Sequence, residues 1–141
     1  MNPAFAATAT FWVAIGGAAG SVARYWMAVG VARIAGETFP WGTLLINIIG
    51  SFVISYFGAM TLPDGARPAG IEMRLFVMVG LCGGFTTFSS FSMQTIELLR
   101  GGEVGRAIAY IIGSVALCLT GTVLGFYLAP LAGLAATGGR P

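Results

Sequence analysis

LFVMVGLCGGFTTFSSFSMQTI, residues 75–96, holds no charged side chain over a length that crosses the hydrocarbon core of a bilayer. It is nevertheless a poor continuous helix. Gly83-Gly84 and the paired Thr86-Thr87 fall in its middle, and glycine and β-branched residues are weak helix formers. This composition predicts a third transmembrane helix broken near its centre. Backbone freed at such depth is tolerated only inside protein or beside a wet cavity, where loosened carbonyls can hold a cation.

Outward from this stretch the punctuation is regular. Pro63-Asp64-Gly65-Ala66-Arg67-Pro68 reads as a polar turn before it, and Arg100-Gly101-Gly102-Glu103 closes it. Upstream of the first turn, Trp41 to Leu62 is an uncharged span, preceded by a turn at Glu37, Thr38 and Pro40. An earlier apolar run extends from Met1 to Ala23 and on to Ile34, with Arg24, Tyr25 and Trp26 as an interface cluster. A cleavable signal peptide is the rival reading of this run, but its start has no Lys or Arg. Downstream, a fourth span covers about Ala107 to Leu128 or a little beyond, and the Gly- and Ala-rich tail ending in Arg140 is expected to fray. The expected fold is an all-α membrane protein with four transmembrane helices in a single domain, residues 1–141.

Composition narrows function. Hydrophobic residues make up 57% of the chain and charged residues 9%, and mean hydropathy is +0.88, so the bilayer is the solvent. With no His and only five acidic residues, general acid–base or metal-assisted catalysis has little to work with. The basic residues are isolated arginines without a lysine, which does not suit nucleic acid. Cys82 and Cys118 both lie in apolar segments and read as small hydrophobes rather than a disulfide framework.

The arginines give the insertion machinery little instruction. One side of the membrane would carry Arg67, Arg74 and Arg140, the other Arg33, Arg100 and Arg106, with Arg24 at the end of helix one. A chain so balanced can insert both ways, and two opposite copies can pair about a twofold axis in the membrane plane. A weakly biased chain with one fixed topology is the alternative.

Two features bear on what such an assembly does. Gly16/Gly20, Gly80/Gly84 and Gly121/Gly125 have the spacing that lets helix backbones approach, chiefly within one chain. Neutral polar residues recur at i, i+4 on helix two as Thr43, Asn47, Ser51 and Ser55, and on helix four as Tyr110, Ser114, Cys118 and Thr122. Hydroxyls in membrane helices commonly bond back to their own carbonyls, but Asn47 carries an amide that must find partners and offers two donors without charge. A stripe of neutral donors suits an anion in transit, since a fixed cation would hold it too tightly to release. Beyond the break, Phe88 and Phe91 share a helix face with Ser92 and Thr95; rings turned edge-on present their positive rim to an anion, although packing is the commoner role of such a pair.

The sequence resembles the CrcB/Fluc family of fluoride channels along nearly its whole length. Three motifs carry the likeness: residues 16–25 (GGAAGSVARY), residues 40–52 (PWGTLLINIIGSF) and residues 83–92 (GGFTTFSSFS). The resemblance implies an antiparallel, dual-topology homodimer in a bacterial inner membrane, with two pores each lined by both subunits and a structural sodium ion (Na+) at the twofold axis. It implies that fluoride leaves the cytoplasm passively. By the same resemblance Phe88 and Phe91 are the rings facing fluoride and Asn47 is a pore donor. Ser114 continues the polar track, and Thr43 and Ser92 stand beside the pore. Gly83 and Thr86 offer sodium their carbonyls, and Arg24 stands at the aqueous entrance. Cys118 departs from the expected pattern, because a thiol stands where a second hydroxyl would donate more strongly.

Two other functions compete. A small dual-topology multidrug exporter needs a carboxylate within the membrane, whereas Glu37, Asp64, Glu72, Glu97 and Glu103 all fall in loops or near helix ends. A non-transporting assembly subunit would explain the glycine pairs but not the polar stripes.

Overall fold

The computed structural model describes residues 2–136, with side chains as far as Leu131. Helix α1 (Pro3–Ala35) starts where Asn2 accepts the Ala4 N–H and proline occupies the first turn, and it stops at Gly36, whose φ of 74° suits glycine. Helix α2 (Trp41–Met60) follows a five-residue turn and ends at Thr61. The third span begins as α3 (Ile71–Arg74), continues as a π-helical stretch (Leu75–Cys82) and closes its first half with α4 (Gly83–Phe85). After the break, α5 (Phe88–Arg100) completes the crossing, and α6 (Val104–Ala136) is the fourth span. Every regular element among the described residues is helical, and four spans are long and apolar enough to cross a membrane. Helix α6 runs on through Ala136, into the tail that was expected to fray, and Arg140 lies outside the described residues.

Packing follows the small residues. Helix α6 lies chiefly along α2, and α1 lies along the first half of the third span. A Cβ placed on Gly80 would stand 2.9 Å from Gly16 Cα, and one on Gly84 would stand 3.0 Å from Gly17 Cα. Backbone therefore meets backbone there. Gly121 and Gly125 open α6 to the α2 backbone at Ile48 and Phe52. All three glycine pairs thus serve contacts within the chain, as dispersion-driven packing in lipid requires.

The ends of the spans are tied locally. Arg74, at the start of the third span, donates to Gly58 O at 3.1 Å and to Thr61 Oγ1 at 2.6 Å, placing its cation at the α2 C-terminus. Between α5 and α6, Gly102 adopts φ 78° and the Glu103 N–H returns to Leu98 O at 2.9 Å, a turn tight enough to set the two helices side by side.

The expected break is present, at Thr86-Thr87. Thr86 (φ −77°, ψ 160°) and Thr87 (φ −156°, ψ 110°) are both extended. The π-helical winding ahead of it was not foreseen. It widens the helix where α1 comes nearest, and such bulges commonly accompany functional sites.

Candidate functional site

At the break, Asn47 replaces the missing helix. Its Oδ1 accepts the Thr87 N–H at 2.8 Å and its Nδ2 donates to Thr87 O at 3.1 Å, so one amide satisfies both backbone groups of a residue with only 7% exposure. One Nδ2 hydrogen remains available. Thr87 then caps α5, its Oγ1 accepting the Ser90 N–H at 3.2 Å. The N-terminal end of α5, with its partial positive charge, is therefore held at mid-membrane.

These bonds leave acceptors behind. In an unbroken helix Gly83 O would accept from the Thr87 N–H and Thr86 O from the Ser90 N–H. Those donors go instead to Asn47 Oδ1 and Thr87 Oγ1. The Gly83 and Thr86 carbonyls have lost their ladder partners, which is the kind of neutral oxygen donor a hard cation takes. Thr86 is held in place by its own hydroxyl and N–H, both donating to Cys82 O, at 3.0 Å and 2.9 Å. The residues present thus fit a sodium ion bound by backbone oxygens.

Beside the break lies a cavity of about 390 Å³ lined by Asn47, Gly50, Ser51, Ile54, Cys82, Gly83, Thr86, Thr87, Phe88, Phe91, Ser114, Val115, Cys118 and Leu119. None of these is charged. It therefore joins the uncommitted Asn47 hydrogen, both threonines of the break and part of each polar stripe. The Phe88 and Phe91 rings stand 5.4 Å apart at 45°, and Phe91 continues to Tyr110 at 5.1 Å. Ser114 is 6% exposed and its Oγ has no hydrogen-bond partner. An unpaired hydroxyl so deeply buried costs about 1–3 kcal/mol, and in a cavity wall it marks a place for a polar visitor.

The other expected residues distribute as follows. Thr43 is buried and lines a second cavity of about 450 Å³ toward one end of the bundle, together with Gln94, Glu37, Glu97 and Glu103. Tyr110, fully buried, donates to Gln94 Oε1 at 3.0 Å and packs its ring on Phe91, so it touches a lining residue of each cavity. Arg24 lines neither cavity and sits one helical turn before Ala28, which lines the second. Ser92 turns its hydroxyl back to Phe88 O at 2.9 Å and also lines neither. Ser55 and Thr122 likewise bond to carbonyls of their own helices. Thr87 was read in the sequence only as part of the break, not as a site residue. Its partner is 40 residues away, and only a hydroxyl three residues before Ser90 hinted at a cap.

Comparison with known proteins decides the family. A family model described as CrcB-like protein, Camphor Resistance (CrcB), matches residues 11–126. The chain belongs to the CrcB family. Among curated CrcB relatives, a protein of Opitutus terrae is 53% identical over 114 residues, covering 81% of this chain and 86% of its own length. One from Methylocella silvestris is 52% identical over 118 residues, covering 84% and 90%. One from Rhodospirillum rubrum is 51% identical over 114 residues, covering 81% and 88%. Each of the three is named a fluoride-specific ion channel. The matched residues contain the whole of α2, the break and the Phe88–Phe91 pair, so the CrcB likeness extends over the cavity itself.

Proposed function

We propose that this CrcB chain is a passive, fluoride-selective channel of the bacterial inner membrane that lets cytoplasmic fluoride leave the cell. The observation that carries the reading is the uncharged cavity beside the break, with the unpartnered Ser114 hydroxyl in its wall. Fluoride is small and strongly hydrated, so a path through the membrane must replace its water with donors. The spare Asn47 N–H, the Ser114 hydroxyl, the α5 N-terminal end and the Phe88 and Phe91 rims are such donors without a net charge to trap the ion. Selectivity over larger anions follows from fit within this narrow set. Fluoride enters cells as neutral hydrogen fluoride and ionises in a more alkaline cytoplasm, so a passive exit is sufficient.

The working unit is an antiparallel homodimer. In a single chain Gly83 is exposed and Phe88 is 78% exposed at the level of the break, and irregular backbone cannot face lipid. A second copy in the opposite orientation, allowed by the balanced arginines, covers both breaks and gives one pathway per subunit. At the axis the Gly83 and Thr86 carbonyls of both copies hold the structural sodium ion. Sodium there supplies charge that holds the two breaks together. The test is growth: in cells lacking their own fluoride exporter, expression of this chain restores growth on fluoride, and failure of correctly inserted protein to do so overturns the reading.

A further inference from the structure

In the row Tyr110, Ser114, Cys118 and Thr122, only Cys118 carries a thiol, and it is one turn from Ser114 on the wall of the same cavity. Cys118 is partly exposed, whereas Cys82, across the cavity at the break, is 3% exposed. Ser114, on the same wall, is 6% exposed and its Oγ has no hydrogen-bond partner, a polar atom left for a ligand to satisfy. We propose that Cys118 makes the cavity a covalent modification site for small, neutral, thiol-reactive molecules, and that its modification closes the anion pathway. The blocking half rests on the proposed fluoride function.

Space and chemistry agree. A methylthio group has two heavy atoms, about 60 Å³ if each takes the share of one water, and the cavity holds about 390 Å³. With methyl methanethiosulfonate as the probe, Cys118 Sγ gives its proton to water and attacks the methylthio sulfur. A new S–S bond forms, the sulfur–sulfonyl bond breaks, and methanesulfinate leaves with the electron pair. No outside oxidant is needed. The product replaces an S–H donor by an apolar cap next to Ser114. Losing one hydrogen bond to an anion in this way lowers passage by about tenfold or more. A small neutral reagent is chosen because it needs no hydration shell replaced on entry, whereas a bulky ionic one does and the uncharged lining is narrow.

The experiment uses the purified chain in fluoride-loaded vesicles, with intact mass and fluoride efflux read on the same sample. The expected result is one methylthio adduct at Cys118, a fall in efflux, and recovery of both on adding dithiothreitol. Cys118→Ser neither gains mass nor changes its own efflux on treatment, whatever its basal rate, while Cys82→Ala still responds. Folded protein that takes no adduct, or a Cys118 adduct that leaves efflux unchanged, overturns the proposal. The mass readout does not depend on which ion is carried, so unlabelled protein with normal efflux counts against the modification site alone. Absence of fluoride efflux before treatment counts against the proposed function.

Discussion

Replacing Asn47 by Leu keeps the branched shape of the side chain but deletes the amide that spans the break. Thr87 N–H and C=O, buried at membrane depth, then lose their partners at 2.8 Å and 3.1 Å. An unsatisfied buried donor or acceptor costs about 1–3 kcal/mol, and some relaxation of the extended pair is to be expected, so the loss is about 2–4 kcal/mol for the two together. Asn47→Asp keeps the acceptor for the Thr87 N–H but cannot return a hydrogen to Thr87 O while ionised; it falls at least as far, since its charge is also buried. Reversible denaturation in mixed detergent micelles measures the loss, and amide exchange at Thr87 locates it. An Asn47→Leu protein within about 0.5 kcal/mol of the parent, with Thr87 still protected, would refute the view that this amide holds the break, since surface-like substitutions lie in that range.

Four further outcomes follow from the same geometry. Ser114→Ala removes a buried hydroxyl that has no partner, so fluoride efflux falls by about tenfold while stability stays within about 0.5 kcal/mol or improves; a matched loss of stability would mean the hydroxyl is structural. Gly84→Ala sets a methyl 2.5 Å from Gly17 O and 3.0 Å from Gly17 Cα and costs about 1–3 kcal/mol by denaturation, whereas Gly105→Ala, which meets nothing within 4 Å, is neutral or slightly stabilising. Arg74→Ala frees Gly58 O and Thr61 Oγ1 and lowers stability by about 1–3 kcal/mol, with Arg74→Lys recovering only part because it lacks the planar fork. If the proposed dimer holds sodium, replacing sodium by a bulky organic cation throughout purification lowers the protein's thermal stability; a melting temperature that ignores the exchange would count against a bound ion at Gly83 and Thr86.

The four spans were legible because lipid imposes a single requirement, a long uncharged helix, and this composition satisfies it four times. The break was legible for a related reason, since Gly83-Gly84 and Thr86-Thr87 are locally poor helix formers. The glycine pairs were readable as packing within the chain, and Gly16, Gly80 and Gly84 do that work against backbone. What sequence spacing could not show was commitment. Thr43 through Ser55 form one stripe by periodicity, yet Ser55 spends its hydroxyl on Ser51 O and Phe52 O, while Asn47 reaches 40 residues along the chain to Thr87. Ser92 shares a face with Phe88, but its hydroxyl returns to the Phe88 carbonyl. Periodicity assigns a face to a residue; which partner takes the hydrogen bond depends on the neighbouring helix. The π-helical winding of residues 75–82 had no sequence signal; of its residues, Gly80 meets the α1 backbone at Gly16, a neighbour that spacing along the chain does not reveal.

The most direct test of the central claim is efflux from liposomes loaded with fluoride salt and holding the purified chain, followed with a fluoride electrode beside a chloride-loaded control. The account predicts rapid fluoride loss down its gradient, without an energy source, and no comparable loss of chloride. Vesicles shown to contain folded protein that retain fluoride, or release chloride equally fast, would contradict it.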